Sequence, residues 1–534
     1  MKRLVILAAV VLCSIPTLAG EYLINEEVAY GLRVTFSEPV TITRFGDVLM
    51  QISPDGEATE FLFFGGELPA WAGHWMAWSP VSARIVMYEW VSDANATAST
   101  TTSQIEPRFV SAIHVKRDGS DGVGAACTTQ SGQLLVAGHV RPNDGEFSEI
   151  LLASIDDSGA VSYFRTLEGV ADVENAVHAY SVATSITACS EGGCIVAADL
   201  HRHFVNPNRN EYYLWLGRGA EDGDLAWQST YRDFHESKAI EPTAEGGYLI
   251  GATVYSAERD ADCAVLKLDA MGEAEWARAY GGRQTDKLMD LAAAENGNYL
   301  LAGTSLSDGW IAQVDPQGDI VWEAVWGGPA DDAFYDVEAT LDGGCVVVGE
   351  TCGHSTLADG WVLKLDESGA REWEIRVGGS RDDAIQVIIQ LPDGGYLAAG
   401  GTWSFGVEQV SPWLIRFDSD GAILWQRVLP RLRYSVMESL ILLNDETVLA
   451  VTDAANSATE DRDLWLLMIE ESSAETTPCE AIGAITPNAR VFPMESVPRE
   501  TSATRETLDV ETLQASGDWV DWAVEVFDAC LGQE

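Results

Sequence analysis

The strongest constraint on this chain is a repeat. From Asp308 to Gly400 one pattern is stated almost twice. Trp310 returns as Trp361, Asp315 as Asp366, Gly318 as Gly369, Trp322 as Trp373 and Asp332 as Asp383. A period of about fifty residues marks units that cannot bury their apolar faces alone and must stack to do so. An apolar run, in most units opened by a glycine, anchors each unit: SGQLLVAG, EGGCIVAA, EGGYLIGA, NGNYLLAG, DGGCVVVG, DGGYLAAG and DETVLAVT. These runs end at Gly138, Ala198, Ala252, Gly303, Gly349, Gly400 and Thr452.

Each unit reads as four short strands, A to D. Strand A is apolar, as from Ala384 to Leu391, and a Pro-Asp-Gly-Gly type turn leads into strand B, as from Tyr396 to Gly400. A variable loop leads to strand C, as in GWVLKLD. Strand C ends in Asp-x-x-Gly at Asp156 to Gly159, Asp269 to Gly272, Asp315 to Gly318, Asp366 to Gly369 and Asp418 to Gly421. Aspartate first and glycine fourth favour a type I turn. Strand D carries Tyr163, Trp227, Trp276, Trp322, Trp373 or Trp425. Four antiparallel strands stated seven times over predict an all-β, seven-bladed β-propeller. A helical solenoid fails because no segment sustains a 3.6-residue period. The last unit has a strand C, Leu464 to Glu470, with no strand D after it, while FVSAIHV (Phe109 to Val115) looks like a strand D without its own A, B and C. The early segment is therefore expected to complete the last blade and close the ring, hiding edges that would otherwise pair with other chains.

The remaining parts of the 534-residue chain fall around this region. Residues 1–20 read as a secretory signal peptide: Lys2 and Arg3, an apolar run from Leu4 to Leu12, then small residues. Cys13 invites lipidation, but Leu12 sits where a small residue should precede it. No later stretch is apolar for long enough to span a bilayer, so no transmembrane anchor is expected. Residues 21–95 show short alternating runs (Leu32, Val34, Phe36; Phe61, Phe63; Ile85, Met87) and suit a small β-sandwich. There Trp71, Trp75 and Trp78 suit a core, or a sugar-stacking surface. Residues 96–107 read as a linker, 108–473 as the propeller and 474–534 as a Pro/Thr/Glu-rich tail. Trp519, Trp522, Val526 and Cys530 near helical spacing suggest a short C-terminal helix.

Acidic residues number 83 against 32 basic ones, a formal charge of −51. Such a field repels phosphate backbones and excludes nucleic acid as a partner. It attracts cations and keeps the chain soluble. The export signal permits disulfides, for which Cys189 with Cys194, Cys345 with Cys352, and Cys479 with Cys530 are the candidates.

The repeat resembles that of secreted bacterial and archaeal β-propeller proteins, with units of the form D-x-W-x-x-K-x-D-x-x-G-x-x-x-W followed by Gly-Gly, Asp and D-G-G-Y. The resemblance covers about two-thirds of the chain and implies an extracellular or cell-envelope location and, most often, no assigned activity. The second unit departs most from it, at SITACS and in the insertion DLHRHFVNPNRNE. VTFSEPVTI resembles the opening strands of bacterial immunoglobulin-like modules.

Candidate chemistry is sparse. Asp121, Asp286, Asp332 and Asp383 share one repeat position at the D-to-A connections, where they could form a rim of calcium-binding carboxylates. Recurrence favours scaffolding aspartates that bond the amides of each turn. His201 and His203 alternate within the longest B-to-C insertion, near His139 and His235 on related loops, and could meet a transition metal. Asp331/Asp332 and Asp382/Asp383 point to opposite faces of a strand and make no glycosidase dyad alone. No G-x-S-x-G, H-E-x-x-H or Walker loop is present. The expected function is a non-catalytic binding or structural module for an unknown protein or glycan, with no cofactor, acting through the rim of B-to-C and D-to-A loops. The alternatives are a polysaccharide hydrolase or lyase, a quinone-dependent oxidoreductase, and a calcium-dependent adhesion protein. Acid residues converging on the central channel would favour an enzyme.

Overall fold

The computed structural model describes side chains from 122 to 470, except 142–147, 157–159, 168–179, 191, 205–209, 256–260, 283–284, 329, 353–356, 445–446 and 456–461, and strand backbones in parts of the remaining chain. Met1–Gln104 and Ile105–Glu534 are separate compact units. In the first unit the backbone of Gly31–Phe45 pairs with Ala58–Phe64 and with Ile85–Val91; the side chains of the 21–95 segment, with Trp71, Trp75 and Trp78, lie outside the described residues, as do the leader and most of the 96–107 linker.

The second unit is a seven-bladed β-propeller. Strand A opens blades 1 to 7 at Ser120–Thr128, Ala176–Ala188, Phe234–Pro242, Asp286–Ala293, Asp332–Ala339, Asp383–Gln390 and Met437–Asn444. Blade 5 is representative: A is followed by Cys345–Thr351, Asp359–Leu365 and Arg371–Gly378, each antiparallel to the last. Each strand A packs beside strand A of the next blade, and blade 7 returns to blade 1, so the A strands ring a central channel. Blade 7 takes its fourth strand from Glu106–Lys116, which pairs with Arg462–Ser472 from Leu464↔Val115 to Ser472↔Glu106. The early strand-D-like segment thus closes the ring.

Three repeat positions have direct physical causes. Strand A slips register at the same point in blades 4, 5 and 6, between Leu288 and Asp290, Phe334 and Asp336, and Ile385 and Val387. This recurrent bulge turns a strand-A carbonyl over the end of strand B. At Gly349 a Cβ would collide with the carbonyl of Ala333, which is why the run ends in glycine. The Asp-x-x-Gly turn and the strand-D aromatic are two halves of one contact. Gly369 takes φ +80°, and its α-carbon lies against the indole of Trp322 from the preceding blade. The Asp366 carboxylate accepts the amides of Ser368 and Ala370 at 2.9 and 3.0 Å, fixing that turn. Finally, the strand-C tryptophan is core. Trp361 is fully buried, stacks on Phe334 at 4.4 Å and donates its indole N–H to Glu374 Oε1 at 2.9 Å. Its apolar neighbours come from both blades 4 and 5, so the hydrophobic layers lie between blades rather than within them.

The tail departs from expectation. Among the described residues of its last stretch no helix forms: Asp518–Asp521 and Glu525–Asp528 are strands. Arg490–Phe492 adds a fifth strand to blade 5, Thr504–Thr507 to blade 3, Thr512–Gln514 to blade 2 and Asp518–Asp521 to blade 1. Glu525–Asp528 then pairs with the closing strand of blade 7, Val526 opposite Val115. The tail runs round the outside of the ring against the order of the blades. Backbone hydrogen bonds to open sheet edges outweigh the local spacing that suggested a helix.

Candidate functional site

On the rim of B-to-C and D-to-A loops, blade 2 stands out. Its strands B and C, Cys194–Val205 and Asn208–Gly219, have 12 residues each, against 7 for the same strands of blade 5. The insertion that departs from the repeat is this lengthened hairpin. Its register sets Tyr180 opposite His201 and His201 opposite Tyr212. Five rings follow in a row: Tyr180–His201 at 4.7 Å, His201–Tyr212 at 4.4 Å, Tyr212–His235 at 4.3 Å and His235–Tyr255 at 4.7 Å. The row crosses from blade 2 to blade 3 at Tyr212–His235. The chain makes that crossing without the Gly-Gly turn used at the three crossings from blade 3 to blade 6: Asp233, at φ 67°, is the single residue between Arg232 and Phe234. Glu236, also at positive φ (46°), lies in the widened bulge that follows. Backbone conformations of this kind in residues other than glycine persist only where packing enforces them.

The inner rings are nearly parallel at His201–Tyr212 (19°), whereas Tyr180 and Tyr255 tilt away by 58° and 56°. These end rings remain 43% and 40% exposed. Burial lowers the pKa of both histidines, that of His235 to about 4, so at neutral pH they are uncharged slabs. The Asn210 carboxamide lies near both His201 and His203, and its oxygen sits 2.7 Å from His203 Nδ1. Beside Tyr255, the Lys287 ammonium donates to both oxygens of Glu236 at 3.0 and 2.9 Å, and the Tyr255 hydroxyl donates to the same carboxylate at 3.2 Å. Arg202 and Arg232 lie over the ring of Tyr213 at 5.0 and 5.7 Å.

A second set of groups lines the channel. Glu241, Asp290, Asp336 and Glu338 lie on the innermost strands of blades 3, 4 and 5. Asp290 accepts the amide of Val337 at 3.0 Å and Asp336 that of Ile388 at 2.7 Å, each tying its blade to the next. Burial, then the neighbouring carboxylate, pushes Asp290 up; burial also raises Asp336. Burial raises Glu241 to about 7, and burial with the charges of Asp336 and Glu241 raises Glu338 to about 8. These side chains are half-buried on the strands that ring the channel.

The repeated aspartates take the scaffolding role. Asp286, Asp332 and Asp383 accept the amides of Gly282, Gly328 and Gly379 at 2.9, 2.6 and 2.7 Å. Each also meets a strand-C aspartate: a Cβ on Gly327 would lie 2.5 Å from Asp308 Oδ1 and 2.7 Å from Asp332 Oδ2. At the next junction Arg376 pairs with Asp359 beside Asp383, and Thr402 and Ser404 donate to Asp383. The side chain of Asp121 lies outside the described residues.

His201 and His203 do not converge: one is stacked in the ring row and the other turns to Asn210. Among the described residues no three His, Cys, Asp or Glu gather as a metal site. The nearby cysteine pairs are not bridged. Cys189 follows Ala188, and it is Ala188 that faces Cys194 across the turn, so the two thiols fall on opposite faces of blade 2 and join different interblade cores. Cys345 opens the strand Cys345–Thr351 and Cys352 follows its last residue, about 20 Å apart by strand rise. Cys479 and Cys530 lie outside the described residues.

Reading the sequence alone picked out His201 on this rim but not the rings that stack with it, Tyr180, Tyr212 and Tyr255, nor Glu236 and Lys287. Hairpin register was the available signal, since His201 and Tyr212 are equally distant from the tip between Val205 and Asn208. It missed the channel carboxylates because nothing local marks a lumen-facing position.

No family model matches the chain, and no curated protein matches it. Among solved structures, a Dyadobacter fermentans protein of unknown function is similar at 11% identity, covering 68% of this chain and 99% of its own, with a TM-score of 0.41. A subtype N10 neuraminidase-like protein of A/little yellow-shouldered bat/Guatemala/060/2010 is similar at 8% identity over 68% of this chain and 100% of its own, with a TM-score of 0.33. Neither likeness bears on what this chain binds or does.

Proposed function

We propose that this chain is an exported, non-catalytic propeller that binds an extracellular ligand through its B-to-C and D-to-A rim, behind a small N-terminal β domain over 21–95. Export rests on the basic and apolar leader, Lys2 to Leu12. The observation that carries the binding role is the lengthened blade-2 hairpin, which holds a row of rings in fixed orientation with both ends open. Preorganised aromatic groups lose little freedom on binding, so they contribute affinity efficiently. A rigid scaffold carrying one irregular, aromatic-rich loop is a common arrangement for recognition.

The channel supports a second reading. Carboxyl groups that hold protons near neutral pH, such as Glu241 and Glu338, suit general acid catalysis of glycoside cleavage. One experiment separates the two: the mature protein is incubated with an oligosaccharide panel, with bound and cleaved fractions both measured. Saturable binding without cleavage supports the module. Cleavage that is lost in Glu338→Gln replaces it with the enzyme.

A further inference from the structure

Resting on the rim as binding face, we infer that the blade-2/3 ring row is a platform for a neutral oligosaccharide, stacked on Tyr180 and Tyr255. The ring faces carry the first argument. Inner rings cover one another, so only the tilted end tyrosines can offer a face to a ligand, and both are two-fifths exposed. A pyranose presents an apolar C–H face that suits an aromatic plane, and hydroxyls at its edge that need fixed polar partners. Those partners stand beside Tyr255: the Glu236 carboxylate and Lys287 ammonium hold each other, while each keeps capacity for a sugar hydroxyl. Three rings separate the two tyrosines, so the ligand is an oligomer rather than a single sugar.

Charge selects the class. The formal charge of −51 disfavours polyanions. Among the described residues, the cations in contact with the row and its neighbours are engaged, Lys287 by Glu236 and Arg202 and Arg232 over Tyr213, an arrangement that favours neutral sugars over a uronate or sulfate. The neutral histidines add no charge at physiological pH.

The test is binding of the full mature chain to arrays of neutral and anionic oligosaccharides, followed by titration calorimetry. Tyr180→Ala, Tyr255→Ala and the double variant are compared with Tyr255→Phe, with thermal melts to confirm folding. The expected result is a neutral oligosaccharide ligand weakened about tenfold by each alanine variant and less by Tyr255→Phe. Neutral-glycan binding unchanged in the double variant would overturn the platform while leaving the binding module intact. Selective binding of anionic glycans would overturn the ligand class. Binding of no glycan, or of a protein alone, would overturn the platform, and with no ligand of any kind the rim reading falls as well.

Discussion

Gly369 shows how much one contact explains at the scale of the residue. Its φ of +80° is costly for any side chain, and Trp322 fills the space a Cβ would need. Gly343 has the same handedness, φ +86°, with nothing within 4 Å of its would-be Cβ. Gly343→Ala should therefore cost about 1–2 kcal/mol through backbone strain alone. Gly369→Ala should cost clearly more, as read by denaturant melts. Equal costs would mean that the turn and the neighbouring indole are not coupled. Such residues were legible in the sequence because the same physics recurs in each blade. Tyr255 was not, because it is a single solution, and Glu338 was not, because its repeat position carries a glutamate again only at Glu241 of blade 3.

Titration also belongs to this scale. Folding raises the pKa of Glu338 to about 8 and those of Glu241 and Glu438 to about 7, against 4.5 when unperturbed. A raised pKa means the native state holds the proton longer than the unfolded chain. Its stabilising contribution is complete below about 4.5 and is lost as pH rises through the folded values. His235 runs the other way: lowered to about 4 from 6.5, its contribution is complete above 6.5 and lost as pH falls. The two slopes oppose each other between 4.5 and 6.5, and above 6.5 the raised carboxyl groups, Asp290 with the glutamates, set the slope. The melting temperature should fall from pH 6.5 to 8, and fall less in Glu338→Gln. A flat or rising profile over that interval would contradict the channel assignment.

At the scale of the element, the tail is the part that the sequence described least well. Its apolar residues sit near helical spacing, yet five short segments lie as strands on the outer edges of blades 5, 3, 2, 1 and 7. Local pattern could not reveal this, since each segment has only three or four residues and takes its conformation from an edge far away in sequence. The last of them covers the closing strand, holding it between two neighbours. Removing residues 508–534 should lower the melting temperature and raise the protease sensitivity of Glu106–Lys116. An unchanged melt and digestion pattern would show that the tail adds nothing to the ring. The expectations for Cys189 with Cys194 and Cys345 with Cys352 failed for a related reason: nearness along a strand or turn says little about side-chain direction, which alternates with every residue.

At the scale of the molecule, hydrophobic layers between neighbouring blades require each blade to have two neighbours. The repeat made that legible, because a count of seven units and one orphan strand leaves a closed ring as the only arrangement without an open face. The site was legible only as a rim. Its ring row depends on a junction between blades 2 and 3 that breaks the repeat, so no other unit could serve as a template for it. Closure itself can be read most directly by amide hydrogen exchange of the protein. If Phe109 to Val115 is the outer strand of blade 7, its amides should exchange as slowly as those of Arg371–Gly378, its counterpart in blade 5. Exchange of Phe109 to Val115 at the rate of an unstructured linker would contradict it.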